Sequence, residues 1–326
     1  MASLPGGFDP VLNRNIDAGQ STLIRDFLDN IGVAESSIET FEPTASDIAA
    51  GNDGLTPYLL PDAMPFGTTA VAEGQQVSIL LNPDATDGTV LIIQGEGNAR
   101  IRGGGGSDKI QGGSGDDTMT GGLGDDLLRG GGGNDSIFGG AHDDTIYGNI
   151  GDDTIASDDG ADSFFGGRGN DEIAGGAGDD MLMGNRDADL AYGNIGNDIL
   201  YGNQQDDTLF GGSGNDTLFG GQDADILEGG RGDDALHGNL GGDQFVFRND
   251  SGVDVIYDFV GGTDRILVAA NINGLPVTDA ADLAVRISSD ATGNAVIDLG
   301  NGNVVTIDGL SATDLVRDIA SYITVT

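Results

Sequence analysis

From Gly103 to Val246 the chain divides into 16 consecutive nonapeptides without an insertion or deletion. Gly112-Gly113-Ser114-Gly115-Asp116-Asp117-Thr118-Met119-Thr120 is representative. The first position is Gly in 15 units, with Ser157 the exception, and the fourth is Gly in 12. The fifth varies among Asp, Asn, Ser, Ala and Gly. The sixth never varies: it is Asp108, Asp117, Asp126, Asp135, Asp144, Asp153, Asp162, Asp171, Asp180, Asp189, Asp198, Asp207, Asp216, Asp225, Asp234 and Asp243. The eighth is apolar throughout, from Ile110 to Phe245. Nine residues cannot bury a core alone, so a period this regular demands a stacked architecture. An Asp that merely formed turns would exchange with Asn. Sixteen retained carboxylates point instead to a role for the charge. The preceding stretch, Gln94–Arg102, keeps the period but places Ala99 where Asp belongs, which reads as an atypical capping turn.

This is the GGxGxDxUx nonapeptide of calcium-binding parallel β-structures, and over Gly103–Val246 the chain resembles the repeats-in-toxin (RTX) family. The stretch Asp243–Ile266, with Asp243-Gln244-Phe245-Val246-Phe247 followed by Gly252-Val253-Asp254 and Gly262-Thr263-Asp264-Arg265-Ile266, resembles the segment that closes many RTX arrays. The resemblance implies a chain dominated by β-structure. Its centre would be a parallel β-roll solenoid, between a small mixed α/β N-terminal region and a β-rich C-terminal cap. It also implies export by type I secretion machinery, with an uncleaved signal in the C-terminal region, to the cell surface or the extracellular medium.

The residues give a physical reading of the same unit. Two nonapeptides close one coil: strand, turn, strand, turn. Small residues at positions one, two and four let the backbone bend and bring carbonyls inward. The position-six Asp adds a carboxylate oxygen. Several oxygen ligands on a flexible loop suit calcium better than zinc or magnesium. Positions seven to nine should form a short strand with the eighth side chain inward. Odd and even repeats then build two facing parallel sheets over one thin apolar core. With each ion between turns n and n+2, the row offers roughly 14 Ca2+ sites. Residues 103–246 hold 29 acidic and 5 basic residues. Stacked carboxylates would repel without metal and be bridged by it, so folding should be coupled to calcium.

Composition narrows the function. The 54 acidic against 13 basic residues leave a net charge of −41, which repels nucleic acid and favours cations as partners. There is no Cys, hence no thiol nucleophile and no thiolate zinc site. No apolar run approaches the roughly 20 residues of a membrane span, and the first 30 residues show no cleavable signal peptide. The two histidines, His142 and His237, lack an HExxH context, and no nucleophile elbow or phosphate loop is present. No catalytic residue and no organic cofactor are expected, and the chain reads as a non-enzyme.

Four regions follow: 1–66, helical with a Pro-containing linker; 67–102, a strand-rich N-terminal cap; 103–246, the roll; and 247–326, the C-terminal cap with the secretion signal. Helices are expected at Ser21–Ile31 and Ser36–Ala50, with an extended connector through Pro57, Pro61 and Pro65. Strands are expected at Val77–Leu81 and Val90–Ile93. A hairpin should join Ala295–Asp298 to Val304–Ile307, and a capping box at Ser311 and Asp314 should open a last short helix. Position nine faces outward and carries Tyr147, Phe165, Met183, Tyr201 and Phe219 on successive coils of one sheet. Such an apolar ladder, like an open roll end, is a surface for self-association or for a cover. The reading is a secreted calcium-binding structural or adhesive element: matrix, surface layer or self-assembling fibre. Two alternatives stay open: a polysaccharide-acting enzyme or its targeting module with chemistry in residues 1–94, and a small membrane-active effector using residues 22–31.

Overall fold

The computed structural model describes residues 88–326 together with the strands Ile48–Ala49, Tyr58–Leu59, Phe66–Val71 and Gln76–Leu80. The helix expected at Ser21–Ile31 lies outside the described residues. Of the one expected at Ser36–Ala50, only Ile48–Ala49 is described, and it is a strand, antiparallel to Gln76–Leu80. The chain forms two compact units, Met1–Gly140 and Ala141–Thr326.

The fold is a parallel β-solenoid. In the first unit one sheet runs Phe66–Val71, Val90–Gly95, Lys109–Gln111, Leu127–Gly132, and the other runs Gln76–Leu80, Asn98–Arg102, Thr118–Leu123, all parallel. The strands expected at Val77–Leu81 and Val90–Ile93 are both present. In the second unit the same alternation continues. One sheet runs from Thr145–Ile150 through Ser163–Arg168, Met181–Arg186, Ile199–Gln204 and Thr217–Gln222 to Ala235–Leu240. Its partner runs from Thr154–Ala156 through Glu172–Ala177, Leu190–Ile195 and Thr208–Ser213 to Ile226–Arg231.

The strands are longer than the sequence suggests. Met181–Arg186 covers positions seven to nine of one repeat and one to three of the next. Position two takes a left-handed backbone within the strand, with φ of 126° at Gly167, 84° at Asn185 and 116° at Gly212, which is why these three are Gly or Asn. The chain stays in the sheet through this kink, because backbone groups need partners and positions two and three pair in register with the next coil, as Asn185 opposite Asn203 and Arg186 opposite Gln204 show. The chain leaves the sheet at positions four to six. Position four demands a left-handed backbone whatever its side chain: His142, Asp187, Gln205 and Asp223, which replace Gly there, have φ of 84°, 75°, 72° and 74°.

Along each strand the side chains alternate in and out, and positions eight and one both face inward. Because position one is Gly, position eight alone fills the core. Phe164, Leu182, Leu200, Leu209, Leu218, Leu227 and Leu236 are completely buried, as the sequence predicts. One large apolar side chain for every nine ordered residues is a thin core, and backbone ordering opposes it at each of those nine.

After Val246 the period breaks but the sheets go on. Val253–Ile256 follows Ala235–Leu240, and Asn303–Ser311 follows Val253–Ile256. On the other face Gln244–Phe247, Arg265–Val268 and Ile323–Val325 stack in parallel. The expected hairpin forms between Asn294–Gly300 and Asn303–Ser311. The last helices begin at Ala312–Arg317, where Ser311 accepts a hydrogen bond from the Asp314 amide at its N-terminus. Leu283, Ala295, Ile297, Leu299, Val305, Ile307 and Leu315 give this end a true three-dimensional core, each with no exposed surface.

Candidate metal centre

The position-six aspartates are buried. All 16 have between 0 and 3% of their surface exposed, a burial that carboxylates rarely tolerate unless paired or ligating. Their first oxygens form a ladder. Within the second unit, from Asp162 to Asp243, Oδ1 accepts the backbone N–H of the Asp one coil earlier: Asp162 from Asp144 at 2.7 Å, Asp189 from Asp171 at 2.8 Å, Asp207 from Asp189 at 2.8 Å, Asp225 from Asp207 at 2.8 Å. In the first unit the ladder starts with the N–H of Thr89 and of Ala99, donated to Asp108 and Asp117. Ala99 thus keeps the register of the row without its carboxylate.

The second oxygens behave differently. Oδ2 of Asp108 and of Asp117 accepts the N–H of Gly104 and Gly113 within its own turn. Oδ2 of Asp162, Asp171, Asp180, Asp189, Asp198, Asp207, Asp216, Asp225, Asp234 and Asp243 is buried and accepts no hydrogen bond. A buried unsatisfied acceptor costs about 1–3 kcal/mol, and a charged one more. Ten in a row mark a place built for something else.

What that something is follows from the glycines at position one. A Cβ built on Gly166 would lie 2.3 Å from Asp171 Oδ2 and 2.9 Å from the Gly184 carbonyl oxygen. On Gly193 it would lie 2.3 Å from Asp198 Oδ2 and 2.6 Å from the Gly211 oxygen, and on Gly202 2.2 Å from Asp207 Oδ2 and 2.6 Å from the Gly220 oxygen. The absent side chain therefore leaves a cradle walled by one carboxylate oxygen and one carbonyl oxygen, repeated coil after coil. Among the described residues no three acidic or imidazole side chains converge on one point. Any ion here takes few carboxylates and draws the rest of its shell from carbonyls. Such an all-oxygen set on turns fits Ca2+ and not the N/S preference of zinc.

Burial raises the carboxyl pKa values along the row. Desolvation is the largest cause, opposed by the backbone hydrogen bond and reinforced by neighbouring aspartates. Asp198 rises to about 6, Asp180, Asp207 and Asp216 to about 7, and Asp189 and Asp225 to about 8. Without a cation the row holds protons near neutral pH, and a divalent ion would displace them.

Two members of the row fall outside the nonapeptides. Oδ1 of Asp254 accepts the Asp234 N–H and Oδ1 of Asp264 accepts the Asp243 N–H, each at 3.1 Å. Both are buried, and Asp254 is pushed up to about 8, first by desolvation. The spacing has slipped from 18 residues to 20 and 21. Their signal in the sequence was the pair Val-Ile after Asp254 and Arg-Ile after Asp264, which repeats positions seven and eight. A second ladder was also missed. Position-five side chains accept the N–H of position five one coil later, as in Asp152 to Asn170, Asp179 to Asn197 and Asn197 to Asn215. It runs in the opposite sense and is exposed.

The outward ladder is real. Tyr147 stacks on Phe165 with ring centroids 4.6 Å apart, and Tyr201, Phe219, His237 and Tyr257 stack in one column at 4.9, 4.6 and 4.7 Å. Tyr257 extends it beyond the repeats.

Fold and cradle together define a calcium-type parallel β-roll. Residues 93–245 match the family model of the RTX calcium-binding nonapeptide repeat, in overlapping segments from 93–128 to 210–245, and this stretch of the chain belongs to that family. Among solved structures, the extracellular lipase LipA from Serratia marcescens matches at 17% identity with a TM-score of 0.30, covering 74% of this chain and 45% of the lipase. The chain thus spans less than half of that lipase's length. A search of the curated proteins finds no match.

Proposed function

We propose that the chain is an exported structural or adhesive element whose roll takes up Ca2+ through Asp108 to Asp243 and folds as it does so. The observation that carries this reading is the row of buried Oδ2 atoms without hydrogen bonds, each beside a glycine cradle. Sites of this kind in extracellular modules bind at roughly 10⁻⁴–10⁻³ M, so they stay empty in a cytosol and fill outside. A chain unfolded before export and folded after it suits a type I exporter, with residues 247–326 as the signal.

A non-catalytic role is supported by how the carboxylates are used. In adjacent pairs such as Asp179 and Asp180, each Oδ1 is occupied by a backbone N–H from a neighbouring coil, of Asn197 and Asp162 respectively, which suits a lattice rather than a catalytic dyad. The stacked column Tyr201–Phe219–His237–Tyr257 supports self-association through that face. Among the described residues no helix is long and apolar enough to cross a membrane. Circular dichroism in chelator and then in millimolar calcium tests the coupling, and a spectrum already fully β-rich in chelator would refute it. Negative-stain microscopy across the same titration tests assembly, and a particle monomeric throughout would count against the adhesive role.

A further inference from the structure

One nonapeptide departs from the others at the position that makes the cradle. Ser157 is the single non-glycine among the 16 first positions. Elsewhere a Cβ at this place would crowd the Asp oxygen, at 2.2 Å for Gly148 with Asp153, 2.3 Å for Gly175 with Asp180, and 2.2 Å for Gly184 with Asp189. These separations are far below any carbon–oxygen contact and lie at or just under the short end of a calcium–oxygen bond, about 2.3–2.6 Å. At Ser157 the Cβ is present, and the hydroxyl is turned into the row, where it donates to Asp144 Oδ2 at 3.3 Å. Ser157 itself is buried, with 7% of its surface exposed.

The surrounding backbone has adjusted. The strand Thr154–Ala156 stops after three residues where its neighbours run for six. The Ser157 N–H reaches the Ala174 oxygen at 3.3 Å, whereas the equivalent bonds from Gly103 and Gly112 are 2.7 Å. Asp158, at position two, lacks the positive φ that Asn149, Asn185 and Asn194 adopt there. The Asp row is nonetheless unbroken, since the Asp144 N–H still bonds Asp162 Oδ1 at 2.7 Å.

We infer that Ser157 plugs the cradle between Asp144 and Asp162, so that this one pair holds no calcium while the pairs beyond it do. The inference rests on the calcium reading above. In place of an ion, a carbon fills the space and the hydroxyl, which neutralises no charge, donates one hydrogen bond to Asp144, while Asp162 Oδ2 stays buried without one.

The test is a count of tightly bound Ca2+ per full-length chain by native mass spectrometry at saturating calcium, with circular dichroism confirming the fold of each variant. Ser157→Gly should bind one ion more than the unmodified chain. Ser157→Ala keeps the Cβ and should bind the same number as the unmodified chain. An unchanged count in Ser157→Gly would overturn the inference, as would a count reduced by one, which would make the hydroxyl a ligand. If the unmodified chain binds no calcium, the broader reading fails instead, so the two failures are distinguishable.

Discussion

The repeats and the C-terminal cap use the same ladder but are held together by different forces. From Asp171 to Asp243 the buried face offers one apolar side chain per nonapeptide and a line of carboxylates whose Oδ2 atoms accept no hydrogen bond. Around Leu283, Ile297, Leu299, Ile307 and Leu315 the chain instead folds back on itself and fills a core. The cap also meets its polar groups with protein. Asn303 donates to the Gly300 oxygen at 2.7 Å and accepts the Gly252 N–H at 2.8 Å. A period of nine economises on sequence, but it cannot make a thick core, so the repeats depend on an ion where the cap depends on packing.

The largest test of this contrast is metal removal. In chelator, hydrogen exchange should show repeat amides such as Leu182, Leu200 and Leu218 losing protection together. Amides of Ile297 and Ile307 should keep it longer. Equal loss in both regions would erase the distinction.

Point substitutions should sort in the same way. Leu299→Ala should cost about 2–5 kcal/mol in cap stability, by denaturant titration, whether or not calcium is present. Asp189→Asn keeps an oxygen for the Asp171 N–H but removes the charge. It should cost on the order of 1.5–3 kcal/mol only in calcium, as a higher calcium midpoint for folding, and should leave the metal-free chain unharmed or steadier.

The two regions should also answer pH with opposite sign. Row carboxyls raised to about 6–8 bind their protons more tightly folded than unfolded. Without metal, their support for the roll is complete below the ordinary carboxylate pKa and is lost as the pH rises through about 6 to 8. In the cap, Asp290 and Asp314 are lowered, chiefly by hydrogen bonds from the Thr292 and Ser311 side chains. Their support is present above the ordinary value and lost as the pH falls through their lowered one. Exchange in chelator should therefore show the repeats better protected at pH 5 than at pH 8, with the cap unchanged over that range and weakened only below the ordinary carboxylate value. Calcium should reverse the repeat trend, with proton release on binding measurable in a pH-stat.

The smallest effect is expected at position five. Asp179→Ala removes an exposed acceptor of the Asn197 N–H, which water can replace, and should cost no more than about 0.5–1.5 kcal/mol.

These contrasts also show what could be read before the fold was known. The inward apolar residues, the facing parallel sheets and the hairpin at Asn294–Ser311 were legible because period and turn chemistry encode them directly. Asp254 and Asp264 were not, because reading the row depended on a fixed step, and the cap lengthens that step while keeping the ladder. The strand through positions one to three was hidden because the Gly or Asn at position two signals a kink, which is present, while the in-register neighbour that keeps the kinked segment in the sheet leaves no local signal. The position-five ladder was hidden because Asp and Asn serve equally as acceptors there, and Ala interrupts it at little cost.

The buried ladder has a sense. Each Asp lends its oxygen to the N–H of the coil before it, and at the carboxyl end Asp254 and Asp264 stand ready for Asp234 and Asp243. The stack therefore has a polarity and two unlike ends, and the acceptors for its last two repeat amides are supplied by the tail of the chain rather than by another nonapeptide.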